Sequence, residues 1–123
     1  MGEFGTYMKA LRLSRGYTMR GMAKEMGVSA QYLSEVEKGR SKITADRLKE
    51  FAACLHLTTA EMEKLYDLSA CEDSKAPQDC VDYLYDNPLA MQALRLAKRD
   101  GNSDAEWQKM IDTLKKKLEK KHV

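Results

Sequence analysis

The sequence lacks a long apolar run. None of its 123 residues belongs to a stretch that could span a bilayer, and no apolar signal-peptide segment stands at the N-terminus. It also has only three cysteines, an odd number without a C-x-x-C pair, which disfavours both a disulfide framework and a zinc site. These absences predict a reduced, cytoplasmic chain that does not bind a membrane.

Patterns typical of catalysis are missing as well. We find no nucleophile beside a general base, no glycine-rich phosphate loop and no metal-ligand spacing, and the two histidines, His56 and His122, are isolated. The sequence therefore predicts a protein that is not an enzyme and binds neither a metal nor another cofactor. Strand-like alternation of apolar and polar residues is absent too, so the predicted fold class is all-α.

The net charge is only +2, from 21 basic and 19 acidic residues, and barely argues for nucleic acid. The distribution of charge is more informative. Acidic residues are concentrated in residues 72–112, whereas basic residues cluster around residues 20–42 and at the C-terminus. We interpret the C-terminal lysines, within residues 115–121, as a solvated helix end; the alternative is nonspecific contact with phosphates.

Helix signals recur along the chain. Hydroxyl residues suited to capping helix N-termini precede the second to fifth predicted helices, and the last of them forms a capping box with Glu61. These caps are Thr18, Ser29, Thr44 and Thr58. The polar segment 70–76 marks a boundary, and three more helices are expected beyond it. We therefore divide the chain into a five-helix domain, residues 1–70, and a three-helix extension, residues 71–123.

The most specific pattern lies where the second and third helices meet. Gly27 favours the left-handed conformation that ends a helix, Val28 supplies a buried residue in the turn, and Ser29 caps the next helix. A recognition helix needs such a corner, followed by polar outward side chains, to reach base edges in the major groove. The residues predicted to read bases are Ala30, Gln31, Ser34 and Glu35.

The chemistry of these side chains suggests what each can contact. Gln31 can pair with adenine, and Glu35 can accept a hydrogen bond from cytosine, while the lack of arginine disfavours a guanine-dominated site. Residues around the corner are predicted to contact phosphates, namely Arg20, Ser29, Tyr32, Lys38, Arg40, Ser41 and Lys42. The alternative is a plain helical hairpin whose polar residues are only solvated, and the pattern alone favours DNA binding modestly.

Several motifs within residues 4–68 carry a family resemblance. They are Leu11-Arg12, Arg15-Gly16-Tyr17-Thr18, Met22-Ala23, Gly27-Val28-Ser29 and Tyr32-Leu33-Ser34 with Val36-Glu37-Lys38-Gly39. With this combination the segment resembles the Cro/CI-type (XRE-family) helix-turn-helix domain. The resemblance implies a lambda-repressor-like DNA-binding fold, base reading by the start of the third helix, and an ion pair between Arg12 and Glu37. Met19 departs from the family, which usually has a phosphate-contacting glutamine at that position.

The C-terminal part carries an apolar stripe that one short helix cannot bury alone. Its members are Trp107, Met110, Ile111, Leu114 and Leu118. Residues 77–121 weakly resemble the helical extensions of some bacterial XRE-type regulators. We predict that the stripe forms a dimer or partner surface, the alternative being that it packs on the sixth and seventh helices of its own chain.

These observations together predict a sequence-specific transcriptional regulator of bacterial or phage origin. The favoured form is a homodimeric repressor that binds an inverted-repeat operator in double-stranded DNA through the major groove. The alternative is an antitoxin-like or partner-controlled regulator, whose C-terminal half binds another protein.

Overall fold

The computed structural model describes residues 2–121, and within them the secondary structure consists of helices without strands. The all-α prediction is therefore confirmed. The eight helices of the described residues are α1 (Glu3–Ser14), α2 (Met19–Met26), α3 (Ala30–Glu37), α4 (Ala45–Leu55), α5 (Thr59–Asp73), α6 (Gln78–Asp86), α7 (Pro88–Asp100) and α8 (Asp104–Lys121).

Side-chain caps begin the helices where the sequence predicts them. The hydroxyl of Thr18 accepts a hydrogen bond from Gly21 N at 3.0 Å, and that of Ser29 accepts one from Tyr32 N at 3.0 Å. Thr44 caps α4 in the same way. Each hydroxyl satisfies a backbone donor that has no partner within its helix, so these three residues fix where the helices start.

The predicted capping box at the start of α5 is also present, and it has a second role. Thr58 and Glu61 exchange hydrogen bonds of 3.0 and 3.1 Å. The Glu61 carboxylate also accepts from Arg15, at 2.6 Å, just after the end of α1. The hydrogen bonds from Arg15 and from the Thr58 backbone lower the pKa of Glu61 to about 2. One carboxylate therefore caps α5 and ties it to the end of α1.

The chain divides into two compact units after Asp82. In the first unit, α1 packs against α3 and α5, while α2 packs against α3 and α4. Their buried side chains form one hydrophobic core. Its members are Phe4, Met8, Leu11, Met22, Ala23, Met26, Leu33, Val36, Leu48, Phe51, Leu55 and Leu65.

Helix α5 is longer than the sequence pattern suggests. It runs to Asp73, so the polar segment that begins at residue 70 starts inside a helix and not in a linker. Ala70 is buried, which extends the inward face of α5, and Ser74 ends the helix in the left-handed conformation. The assignment of separate roles to residues 1–70 and 71–123 stays a prediction.

The second unit has no comparable core. Among its described residues, from Tyr83 to Lys121, no side chain is buried. The large exposed apolar residues there are Tyr83, Tyr85, Leu89, Leu94, Leu96, Met110, Ile111, Leu114 and Leu118. Within the part of the chain that the structure describes, no helix combines the length and the apolar character needed to cross a membrane.

Gly5 allows α1 to approach the end of α3 closely, and this contact can be tested. A Cβ at this position would overlap the carbonyl oxygen of Glu37, which is backbone and cannot swing away. We expect Gly5→Ala to lower the free energy of unfolding by about 1–3 kcal/mol, as overpacking does. Urea denaturation measures the change. Thr6→Ala, at an exposed position of the same helix, should change it by less than about 0.5 kcal/mol. Equal stabilities of the two variants would contradict the close contact.

Candidate nucleic-acid interface

The turn between α2 and α3 is closed as the sequence predicts. Gly27 adopts φ 70°, the left-handed conformation that glycine tolerates best. The amide of Val28 donates to the carbonyl of Ala23 at 3.0 Å, and the Val28 side chain packs half-buried against the core. The two helices are thereby held at a tight corner, and α3 starts at its Ser29 cap.

Helix α3 separates a buried side from an outward side. Leu33, Val36 and Glu37 are buried. At about 100° per residue, Gln31 and Lys38 lie opposite them, and both are exposed. The predicted base readers Ser34 and Glu35 flank this outward face and are half-buried. The structure thus brings three of the four predicted base readers together on one face.

The two remaining predicted residues of α3 lie nearer the core. Ala30 and Tyr32 are both half-buried and pack against core side chains. The aromatic ring of Tyr32 therefore packs against the core, and its hydroxyl is the polar end of the side chain. The base contact of Ala30 and the phosphate contact of Tyr32 stay predictions.

Glu35 and the loop that follows α3 are directly linked. The carbonyl of Glu35 accepts hydrogen bonds from the amides of Arg40, at 2.9 Å, and Ser41, at 3.3 Å. The Glu35 carboxylate lies 3.7 Å from the Arg40 guanidinium. Two residues with different predicted roles, base reading and phosphate contact, are therefore neighbours in the free protein. The arginine also offsets a negative charge that would otherwise oppose DNA.

Lys42 is tied to the end of α5. Its ammonium group forms an ion pair with the Asp73 carboxylate. The neighbouring Glu72 accepts a hydrogen bond from the amide of Phe4 at 3.4 Å. The last turn of α5 thus holds both the loop after α3 and the first turn of α1. Lys42 must exchange this carboxylate for a phosphate in order to play its predicted role.

The ion pair that the family resemblance implies is present and buried. Arg12 Nε donates to Glu37 Oε2 at 2.8 Å, and Nη2 donates to Oε1 at 3.2 Å. A third bond, of 2.8 Å, runs from Arg12 Nη1 to the carbonyl of Tyr17, just before α2. The two residues are only 5% and 4% exposed. Arg12 therefore fixes α3 against α1 and the start of α2, and Glu37 is confirmed as structural.

Sequence reasoning missed two basic residues near this surface. Arg47 of α4 donates to the carbonyl of Met26 at 3.2 Å and so holds the end of α2 beside the turn. Lys9 of α1 lies beside a recess next to α3. Lys9 could have been found from its spacing of three residues from Arg12, which places both side chains on one side of α1. Nothing in the local sequence pattern indicates the contact of Arg47 with Met26.

The chain is similar to several known proteins. The helix-turn-helix family model matches residues 8–62. The uncharacterized HTH-type transcriptional regulator YazB of Bacillus subtilis is 32% identical over 59 residues, which cover 48% of this chain and 86% of that protein. An uncharacterized HTH-type transcriptional regulator of Mycobacterium tuberculosis is 37% identical over 54 residues, and the match spans 39% of its length. A chain of a solved SinR–SinI protein complex, 20% identical, matches 94% of this chain and 98% of its own, with a TM-score of 0.47.

Removing one member of the buried ion pair should be costly. We expect Arg12→Met to reduce the free energy of unfolding by roughly 3–5 kcal/mol, because it leaves the Glu37 carboxylate buried without its partner. The double variant Arg12→Met/Glu37→Leu should cost less than Arg12→Met alone, since no charge then remains buried. Urea denaturation of the three proteins tests this order. A double variant less stable than Arg12→Met would show that the charge itself is not the cause.

Proposed function

The chain belongs to the helix-turn-helix family of DNA-binding transcriptional regulators, and we propose that it reads a specific sequence with the outward face of α3 in the major groove. The family and the curated relatives are regulators and not enzymes. One observation carries the proposal: α3 has an exposed polar face, and its opposite side is held rigidly against the rest of the domain. Gln31 is exposed, whereas Glu37 on the same helix is locked to Arg12.

The base contacts follow from the positions of the side chains on α3. Gln31, at the start of the helix, pairs with N6 and N7 of an adenine. Glu35, one turn further, accepts from N4 of a cytosine once Arg40 has moved to a phosphate. Ser34 bonds an adjacent base edge, and Ala30 contacts a thymine methyl group. The preferred site therefore includes an adenine and a cytosine.

Phosphate contacts position the helix in the groove. The residues proposed for them are Arg20, Ser29, Tyr32, Lys38, Arg40, Ser41 and Lys42. All but the half-buried Tyr32 are exposed, and all but Tyr32, which lies in α3, precede or follow that helix along the chain. Such contacts supply affinity and register, while sequence information comes from the bases.

We further propose that the protein acts as a homodimer on an inverted repeat. One module covers a short half-site, and twofold dimers of such modules bind half-sites related by symmetry. The stripe of Trp107, Met110, Ile111, Leu114 and Leu118 supports this proposal. Trp107 is half-buried, and the other four side chains are 44–57% exposed, so a second copy has apolar surface to cover. A dimer bound to its operator excludes other proteins from that DNA, so we propose that the regulation is repression. The proposed location of the protein is the cytoplasm.

A second candidate uses the same stripe. A different protein that covers the exposed side chains of α8 would make this chain an antitoxin-like or partner-controlled regulator. The two candidates differ in the oligomeric state of the pure protein. A partner-dependent regulator stays monomeric alone, whereas the homodimer forms without any other component.

Replacement of the two main base readers should alter sequence preference. We expect Gln31→Ala to weaken binding to the preferred site by about 1–3 kcal/mol and to relax selection at the adenine, and Glu35→Ala to do the same at the cytosine. Selection of bound sites from random DNA, followed by titration, measures both effects. Lys49→Ala, at an exposed position of α4, serves as the control. Unchanged preference in both variants would show that another face reads the DNA.

Replacing apolar residues of the stripe with polar ones should disrupt the proposed dimer. We expect Leu114→Gln/Leu118→Gln to shift the protein from dimer to monomer, because it removes exposed apolar surface without lowering helix propensity much. The control variant Lys116→Gln/Lys120→Gln also introduces two glutamines, but on the opposite side of α8, and it should remain dimeric. Sedimentation equilibrium measures the mass. A wild-type protein that is monomeric at all concentrations would favour the partner-controlled candidate.

A further inference from the structure

We propose that a recess beside α3 binds one phosphate of the DNA backbone, held by Lys9 of α1, Ser34 of α3 and Lys38, which directly follows α3. The inference rests on the proposed function, because it concerns DNA bound at α3. It adds a binding site and a residue, Lys9, that no sequence motif assigns to DNA.

The recess is formed where α1, the start of α2 and α3 meet. It is lined by Lys9, Arg12, Met19, Ser34, Glu37 and Lys38. Its volume is about 260 Å³, well above the share of roughly 30 Å³ that one water molecule takes in the liquid. A tetrahedral phosphate group therefore has room to enter.

The charges around the recess favour an anion. Arg12 and Glu37 neutralise each other, and each of the three Arg12 side-chain nitrogens already donates one hydrogen bond. The lining then retains two positive charges, those of Lys9 and Lys38, and no uncompensated carboxylate. Both lysines are exposed, and within residues 2–121 neither belongs to an ion pair.

The two predicted phosphate-contacting cations in the loop after α3 are less ready to bind a phosphate. Arg40 lies next to the Glu35 carboxylate, and Lys42 is paired with Asp73. Each must give up a carboxylate before it contacts DNA. Lys9 and Lys38 have no such partner among the described residues, so they exchange only water and counterions when a phosphate arrives.

The position of the recess matches the reading face. Ser34 and the C-cap residue Lys38 lie three and seven residues after Gln31, on the outward side of α3 and at its end. A phosphate bound there would flank the groove that receives Gln31. Met19 lines the recess but has no hydrogen-bond donor in its side chain, and Arg12 is already bonded to Glu37 and Tyr17. The donors proposed for the phosphate are therefore the two lysines and the serine hydroxyl.

Helix α1 itself provides a matched control. Lys64 of α5 lies 4.4 Å from the centre of the Tyr7 ring. Tyr7 and Lys9 are two residues apart on α1 and therefore project about 200° apart around its axis. Lys64 is thus an exposed lysine on the flank of α1 that faces away from the recess.

The experiment compares Lys9→Gln, Lys38→Gln, the double variant and Lys64→Gln on the site selected by the wild-type protein. Affinity is measured across a range of salt concentrations. We expect each single variant at the recess to weaken binding about two- to fivefold, as for an exposed ion pair, and equally on unrelated sequences. The double variant should reduce the slope of log K against log salt by about 0.9, the value for one phosphate. Lys64→Gln should change neither quantity.

Three results would overturn the proposal. Lys9→Gln could bind as the wild-type protein does, or the double variant could keep the wild-type slope. A slope reduced by about 1.8 would mean that the lysines contact separate phosphates and share no recess. The test also separates this site from the proposed function. A wild-type protein that selects no sequence refutes the reading function, whereas selective binding with an unchanged Lys9→Gln variant refutes the recess alone.

Discussion

The buried ion pair between Arg12 and Glu37 is the constraint on which the position of α3 depends. Burying two charges is expensive and is tolerated only when their hydrogen bonds are satisfied, as the bonds to both carboxylate oxygens and to the Tyr17 carbonyl achieve here. Those bonds join α1, the start of α2 and α3. The Gly5 contact brings α1 and α3 close enough for the pair to form. The ion pair and the Gly5 contact together hold α3, the helix that carries Gln31, against α1.

Electrostatics at the candidate interface are local, in keeping with a net charge of only +2. Acidic residues lie next to several cations, as Glu35 does beside Arg40 and Asp73 beside Lys42. Such pairs reduce the positive electrostatic potential of the free protein. In our proposal, each paired cation must also exchange its carboxylate for a phosphate when DNA binds. Among residues 2–121, Lys9 and Lys38 belong to no ion pair, so in our proposal they contact a phosphate without that exchange. Under our proposal, affinity for DNA comes mainly from a few placed contacts, and little of it comes from a general attraction to DNA.

The two units of the chain differ in how they are stabilised. The first has a core that reaches from Phe4 to Leu65, so its helices bury one another. The second has helices of strong amphipathic pattern with no buried side chain among its described residues. Helices in water are stabilised mainly by packing an apolar face. The second unit therefore has the surface that the proposed dimer, or a protein partner, would cover.

The sequence by itself determined the local structure. Thr18, Ser29 and Thr58 mark helix starts, and Gly27 marks the corner, because caps and left-handed turns depend on neighbouring residues. Family resemblance added the Arg12–Glu37 pair. Only the tertiary structure decided the length of α5, the pairing of Lys42 with Asp73, the contact of Arg47 with Met26 and the recess that Lys9 and Lys38 both line. These depend on residues far apart in the chain, and no local pattern records which side chains the core brings together.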